Sequence, residues 1–152
     1  MRSLVLCVLA ALALAGCASA PSKIANVTSV STADAASAAS LISAYRVANG
    51  LSPVSVDGRL NEAAEIQARA VAEAGKLSHG DFSTRMAKLG IAGFAAENLA
   101  AGSRSVSEAV ARWKASPRHN ENLLMPEARR IGLARADADA GYGRYWTLVL
   151  GQ

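Results

Sequence analysis

His79 and His119 are the two histidines of this chain, and Glu97 lies between them in the stretch FAAENLAAG, residues 94–102. The apolar and small residues of that stretch suit a buried segment, where an ionised carboxylate without a partner costs several kcal/mol. Glu97 therefore calls for hydrogen bonds and a cation. Either imidazole can donate to a carboxylate, and both can ligate a metal. Two histidines and one glutamate can hold a divalent cation such as Zn²⁺ with one coordination position open, the arrangement of a metal-dependent hydrolase. Spacing alone leaves plainer roles open, with His79 an exposed loop residue and His119 a satisfied residue at a helix start. No short metal motif such as HExxH is present. No serine or cysteine stands out as a nucleophile, which weighs against hydrolysis.

The elements that must position these residues follow from periodicity. Ala38, Leu41, Ile42 and Tyr45 predict a helix that ends before Gly50. LSPVSVDG reads as an extended connection, and Leu60, Ala64, Gln67, Ala68 and Val71 mark a second helix closing near Gly75. The loop KLSHGDF carries His79, and a short helix around Thr84–Leu89 follows. FAAENLA is a short strand or an extended loop. Val106, Ala109, Val110 and Trp113 form the stripe of another helix, opened by Ser105-Val106-Ser107-Glu108 in the pattern of a capping box. Trp113 reads as core, with an N–H that needs one partner. Pro117 ends or redirects this helix, and PRHNENLLM makes a helical turn presenting His119. Asn98, Asn120 and Asn122 are suited to satisfying backbone groups around the site. RIGLARA and RYWTLVLG alternate as strands of an antiparallel hairpin. Helices come first and strands last, which predicts an α+β fold.

The 152 residues allow one domain, and 51% hydrophobic against 18% charged residues predicts that it folds. Residues 1–16 are expected to be a signal peptide: Arg2, a short apolar run from Leu4 to Leu14, and Leu14-Ala15-Gly16-Cys17, which resembles the bacterial lipobox. Cys17 would then be lipidated and anchor the chain to a membrane. The competing reading, a secreted protein cut after Ala20, sets Pro21 behind the scissile bond, a poor arrangement for signal peptidase. Ala18 beside Cys17 favours an outer membrane, facing the periplasm, if the source is Gram-negative. Residues 17–35 are read as lipidated cysteine and flexible tether, and 36–152 as the domain. With Cys7 removed, Cys17 is the only cysteine left, so the domain is held without an internal disulfide. Loss of Arg2 leaves 15 basic against 12 acidic residues. These are scattered, without interleaved aromatics, and nothing points to nucleic acid.

The ordered series NGLSPVSVDGRLNEAAEIQA, LSH, AENLAAG, SVSEAVARWKASPRHNENLL, RRIGLARA and YWTLVLGQ resembles the CAP superfamily, in its bacterial SCP-like branch, over roughly residues 38–152. That superfamily comprises cysteine-rich secretory proteins, antigen 5 and pathogenesis-related proteins. The resemblance implies a three-layer α-β-α sandwich with a small, mostly antiparallel sheet between helices. It also implies a cavity whose two histidines and first glutamate are His79, His119 and Glu97, a triad suited to a divalent metal. For the family's fourth cavity position the chain offers Ser116, three residues after Trp113, or Glu108, which the capping box already employs. Ala96 replaces the family's usual glycine, and Gln67 falls where many members have histidine. Functionally the resemblance implies a ligand-binding or interaction module for a small molecule, lipid, wall component or peptide. A metal-assisted hydrolase and a purely structural envelope protein are the alternatives.

Overall fold

The computed structural model describes residues 26–152. The elements follow in the order β1 (Val27–Ser31), α1 (Ala35–Ala48), β2 (Ser55–Val56), α2 (Gly58–Ala74), α3 (Phe82–Lys88), β3 (Ala95–Ala101), α4 (Val106–Ala115), α5 (Pro117–Leu123), β4 (Arg130–Ala138) and β5 (Arg144–Gly151). The cleavage and lipidation expectations for residues 1–16 and Cys17 lie outside the described residues.

Strands run β1-β4-β5-β3 across the sheet, all antiparallel, and β2 pairs with the start of β4 in parallel. Both faces of β5 are buried, so its alternation sorts residues between two cores rather than between core and water. Trp146, Leu148 and Leu150 meet Ile42 of α1, Val110 and Trp113 of α4 and Leu123 of α5. Tyr145 and Val149 face the other way, toward Leu60, Ala64, Ala68 and Val71 of α2 and Met86 of α3. Three layers result, an α-β-α sandwich of the α+β class.

Alanine sets how closely α2 approaches. Ala63, Ala64, Ala68 and Ala72 are fully buried, and the helix lies against Gly132 of β4. A β-carbon on Gly132 would stand 1.9 Å from the Leu60 carbonyl carbon, so no other residue fits without displacing the helix. Asn61 Oδ1 accepts the Leu133 N–H at 3.0 Å. It thereby satisfies β4 between the stretches paired to β2 and β1, since a buried N–H left alone is costly. Asp57 caps the helix through the Arg59 and Leu60 N–H groups, and Gly75 closes it in the left-handed region at φ 65°.

Residues 27–31, expected to belong to a flexible tether running to residue 35, form a strand instead. VTSVS forms β1, an edge strand on β4, in which Ser29 Oγ donates to Asp137 Oδ2 at 2.9 Å. The Asn26 N–H and side-chain amide reach Asp139 at 2.9 and 3.1 Å, and Val27 and Val30 pack on the α2-side core. Two valines among small polar residues give almost no local signal, because the strand is stabilised by cross-strand pairing with β4.

Candidate functional site

Glu97 sits on β3 with its side chain 2% exposed. Its side-chain partners come from two places, the loop after α2 and helix α3. His79, in the loop after α2, approaches with Nδ1 2.8 Å from Glu97 Oε1. With the carboxylate ionised, Nδ1 carries the proton and donates, which leaves Nε2 outward on a side chain 57% exposed. The cation is Arg85 of α3. Its Nη2 donates to Glu97 Oε2 and its Nη1 to Gln67 Oε1 of α2, while Gln67 Nε2 donates to the Ser78 carbonyl and so holds the loop that carries His79. Arg85 Nη1 also reaches the His79 carbonyl at 3.4 Å. A relay Gln67–Arg85–Glu97–His79 thus ties helix, strand and loop together. Burial pushes the Glu97 carboxyl above its ordinary range, and the His79 hydrogen bond and the Arg85 charge pull it back.

Sequence reasoning missed Arg85. It stands in the short helix predicted around Thr84–Leu89, where an arginine reads as solvated, yet α3 buries it beside Met86. The Asp81 cap of α3, accepting the Thr84 N–H at 3.0 Å, fixes where the helix begins, and packing of α3 against the sheet turns Arg85 inward. The signals available were Gln67 in a histidine position and a buried glutamate in need of a cation.

β3 is the free edge opposite β1, and side chains from α4 and α5 close it. Its outward carbonyls at Glu97, Leu99 and Ala101 accept from Asn122 Nδ2 at 3.3 Å, Trp113 Nε1 at 3.0 Å and Arg112 Nη1 at 2.9 Å. Such an edge otherwise templates pairing with other chains. Asn122 Nδ2 also donates to Asn98 Oδ1 at 2.9 Å, and Asn98 Nδ2 to the His119 carbonyl at 3.0 Å. Asn98 and Asn122 therefore satisfy backbone groups as expected, and together they fix α5 and His119 to the strand. Asn120 instead accepts the Tyr45 hydroxyl at 2.8 Å.

Of the expected triad, the structure joins His79 to Glu97 directly. His119 is linked to the strand through its backbone carbonyl, which accepts from Asn98, and no described hydrogen bond joins its imidazole to Glu97 or His79. Burial first, and the charge of His79 second, lower its pKa below the ordinary 6.5. His119 lines a cleft of about 290 Å³ at the junction of β3, α4 and α5, walled by Leu99, Trp113 and Ser116 and bordered by Leu77, Arg112 and Tyr142. Ser116 shares that cleft with His119. Glu108 does not: it caps α4, accepting the Arg104 N–H at 2.8 Å while its own N–H donates to Ser105 Oγ at 3.2 Å.

A divalent ion held by His79, Glu97 and His119 does not fit this arrangement. Both Glu97 oxygens are engaged, and the Arg85 guanidinium already supplies the positive charge an ion would bring. Among the described residues, no group of three His, Cys, Asp or Glu side chains is gathered to hold a metal.

The model of the cysteine-rich secretory protein family, CAP, matches residues 39–150. The chain belongs to the CAP family. It is 28% identical over 113 residues to the uncharacterized protein YkwD of Bacillus subtilis, a match covering 70% of this chain but 42% of that protein. The CAP domain thus spans under half the length of that curated relative. Among solved structures, an outer surface protein of Borrelia burgdorferi superposes with a TM-score of 0.70 at 22% identity, over 84% of this chain and 98% of that one. An extracellular SCP-domain protein of Bacillus anthracis gives 0.67 at 20% identity, over 76% of this chain and 39% of that one. At these identities the likeness establishes the fold. The CAP domain is of the bacterial type, and among the described residues no helix is long and apolar enough to cross a membrane.

Proposed function

We propose that this CAP domain is exported, tethered to a membrane through lipidated Cys17, and works there as a ligand-binding module rather than as a hydrolase. Export agrees with relatives named for an outer surface and an extracellular location. One observation carries the ligand-binding reading. The carboxylate that a hydrolase would need free as base or metal ligand is locked between Arg85 and His79, whereas the neighbouring cleft beside His119 is open. Such a cleft, part apolar with a few convergent polar groups, is the common form of a small-molecule site.

The hydrolytic alternative draws on His79, whose carboxylate-held imidazole turns Nε2 outward in the manner of a general base. No hydrogen bond among the described residues joins Ser116 to either histidine, so a serine nucleophile is not assembled and such a reaction would have to proceed by water attack.

The test uses the mature chain carrying Cys17→Ser, which takes no lipid. Amide NMR spectra are followed during titration with muropeptides, solubilised envelope lipid and Zn²⁺, beside peptidase and esterase assays. Saturable shifts around Trp113, Ser116 and His119 without turnover are expected. Turnover abolished by Glu97→Gln would establish the hydrolase instead. Zn²⁺ binding lost with either His79→Ala or Glu97→Gln would restore the metal reading.

A further inference from the structure

The cleft beside His119 has a chemistry that narrows the class of ligand, an assignment that rests on reading this cleft as the ligand site. Arg112 borders it with a charge that no carboxylate within ion-pair distance neutralises among the described residues. Its Nη1 is occupied by the Ala101 carbonyl at 2.9 Å and Ser103 Oγ at 3.3 Å. Those bonds pin the guanidinium at the end of β3, while no described hydrogen bond uses Nε or Nη2. A held guanidinium with free N–H groups suits a carboxylate, which it takes through paired, charge-assisted hydrogen bonds.

The rest of the lining narrows the ligand further. Ser116 and His119 offer a hydroxyl and an imidazole, groups that donate to and accept from an amide. Leu99 and Trp113 form an apolar floor, both nearly fully buried. Two of the five large hydrophobic side chains exposed among the described residues, Leu77 and Tyr142, border this same cleft. Tyr142 is held there by its N–H donating to the Tyr145 hydroxyl at 3.1 Å and by an edge-to-face contact between the two rings at 6.0 Å. The volume of about 290 Å³ lies at the small end for ligand sites, the size of one or two residues rather than of a long acyl chain.

We infer that the cleft captures the carboxyl end of a peptide: the terminal carboxylate on Arg112, the last amide on Ser116 and His119, and a small or apolar side chain against Leu99, Trp113 and Tyr142. A simple fatty acid would satisfy the guanidinium and the floor but leave the hydroxyl and imidazole unmatched.

The experiment compares N-acetyl-alanyl-leucine, its C-terminal carboxamide and octanoate by NMR titration of the mature Cys17→Ser chain. The free acid is expected to shift the signals of Arg112, Ser116 and His119 and to bind at least tenfold tighter than the carboxamide. Arg112→Gln should abolish that preference and Arg112→Lys retain part of it. Because Arg112 also caps β3, an unfolded variant would be uninformative, and the acid-to-amide ratio on the unsubstituted cleft decides the matter by itself. Equal binding of acid and amide overturns carboxylate recognition while leaving a ligand site. Octanoate binding tighter than the peptide overturns the peptide class. No shift in the cleft with any of the three overturns the carboxyl-end proposal, whereas the ligand-binding reading stands or falls separately with the muropeptide and lipid titrations.

Discussion

Glu97 is stabilised in its buried position by one guanidinium, and that dependence can be measured. Removing the cation with Arg85→Met leaves the carboxylate with His79 alone, and breaking a buried pair from one side costs about 3–5 kcal/mol. Urea denaturation is expected to show that loss in Arg85→Met and to recover much of it in the double variant with Glu97→Gln. Additive losses would mean the pair is not coupled. Two groups of the site also give stability opposite pH dependences. Glu97 has a folded pKa above its ordinary 4.5, so the folded form holds its proton longer and stability falls as pH rises from 4.5 through the folded value. His119 has a folded pKa below 6.5, so the unfolded chain takes up the proton first and stability falls as pH drops from 6.5 through the folded value. Urea midpoints across pH should lose the first dependence in Glu97→Gln and the second in His119→Gln. An imidazole of His119 that titrates at or above 6.5 by NMR would contradict the second.

At the level of elements, the site is held by α4 and α5 bonded to the β3 edge and by α2 packed on β4 and β5. Trp113 is 1% exposed and donates to the Leu99 carbonyl, so it both fills the α4-side core and closes the β3 edge. Trp113→Ala is expected to cost about 3–5 kcal/mol by thermal or chemical unfolding. A much smaller cost would show that α4 collapses onto the vacancy. β1 gives a second check. A chain beginning at Ala36 lacks the strand that covers β4, whereas one beginning at Asn26 keeps it. Hydrogen exchange at Arg135–Asp137 should be markedly faster in the shorter chain, and equal protection would mean that β1 adds nothing to β4. Arg46 clamps a further corner, with its guanidinium donating to the carbonyls of Ser52, Leu123, Met125 and Ala128 at 2.7–2.9 Å. It joins α1 to the end of α5 and the approach to β4.

For the whole molecule, the proposed anchor at Cys17 makes location a matter of covalent lipid. Two acyl chains with an amide-linked third hold a protein on a bilayer far more firmly than a modest basic surface does. Cys17→Ser expressed in a bacterium is expected to lose palmitate labelling and to move from the membrane fraction to the soluble fraction. Labelling that persists would refute the anchor. With β1 beginning at Val27, the proposed anchor at Cys17 would stand ten residues before the first strand of the sheet.

The sequence by itself determined most of the frame. The alternation of RIGLARA and RYWTLVLG, the alanine stripe of α2 and the Ser105–Glu108 capping box are local patterns, written by periods of 2 and 3.6 and by backbone groups that need caps. Pairing of His79 with Glu97 was legible too, because a buried carboxylate must find donors and the family's ordered motifs name the positions. Only the tertiary structure decided which cation meets Glu97. Arg85 lies 12 residues away on a helix of its own, and its inward turn depends on how α3 packs rather than on any pattern in FSTRMAK. Likewise β1 exists because β4 lies beside it, and the charge of Arg112 faces a cleft because β3, α4 and α5 enclose one. Local patterns are set by neighbours in the chain, whereas these partners are set by surfaces that come together only when the sandwich has formed.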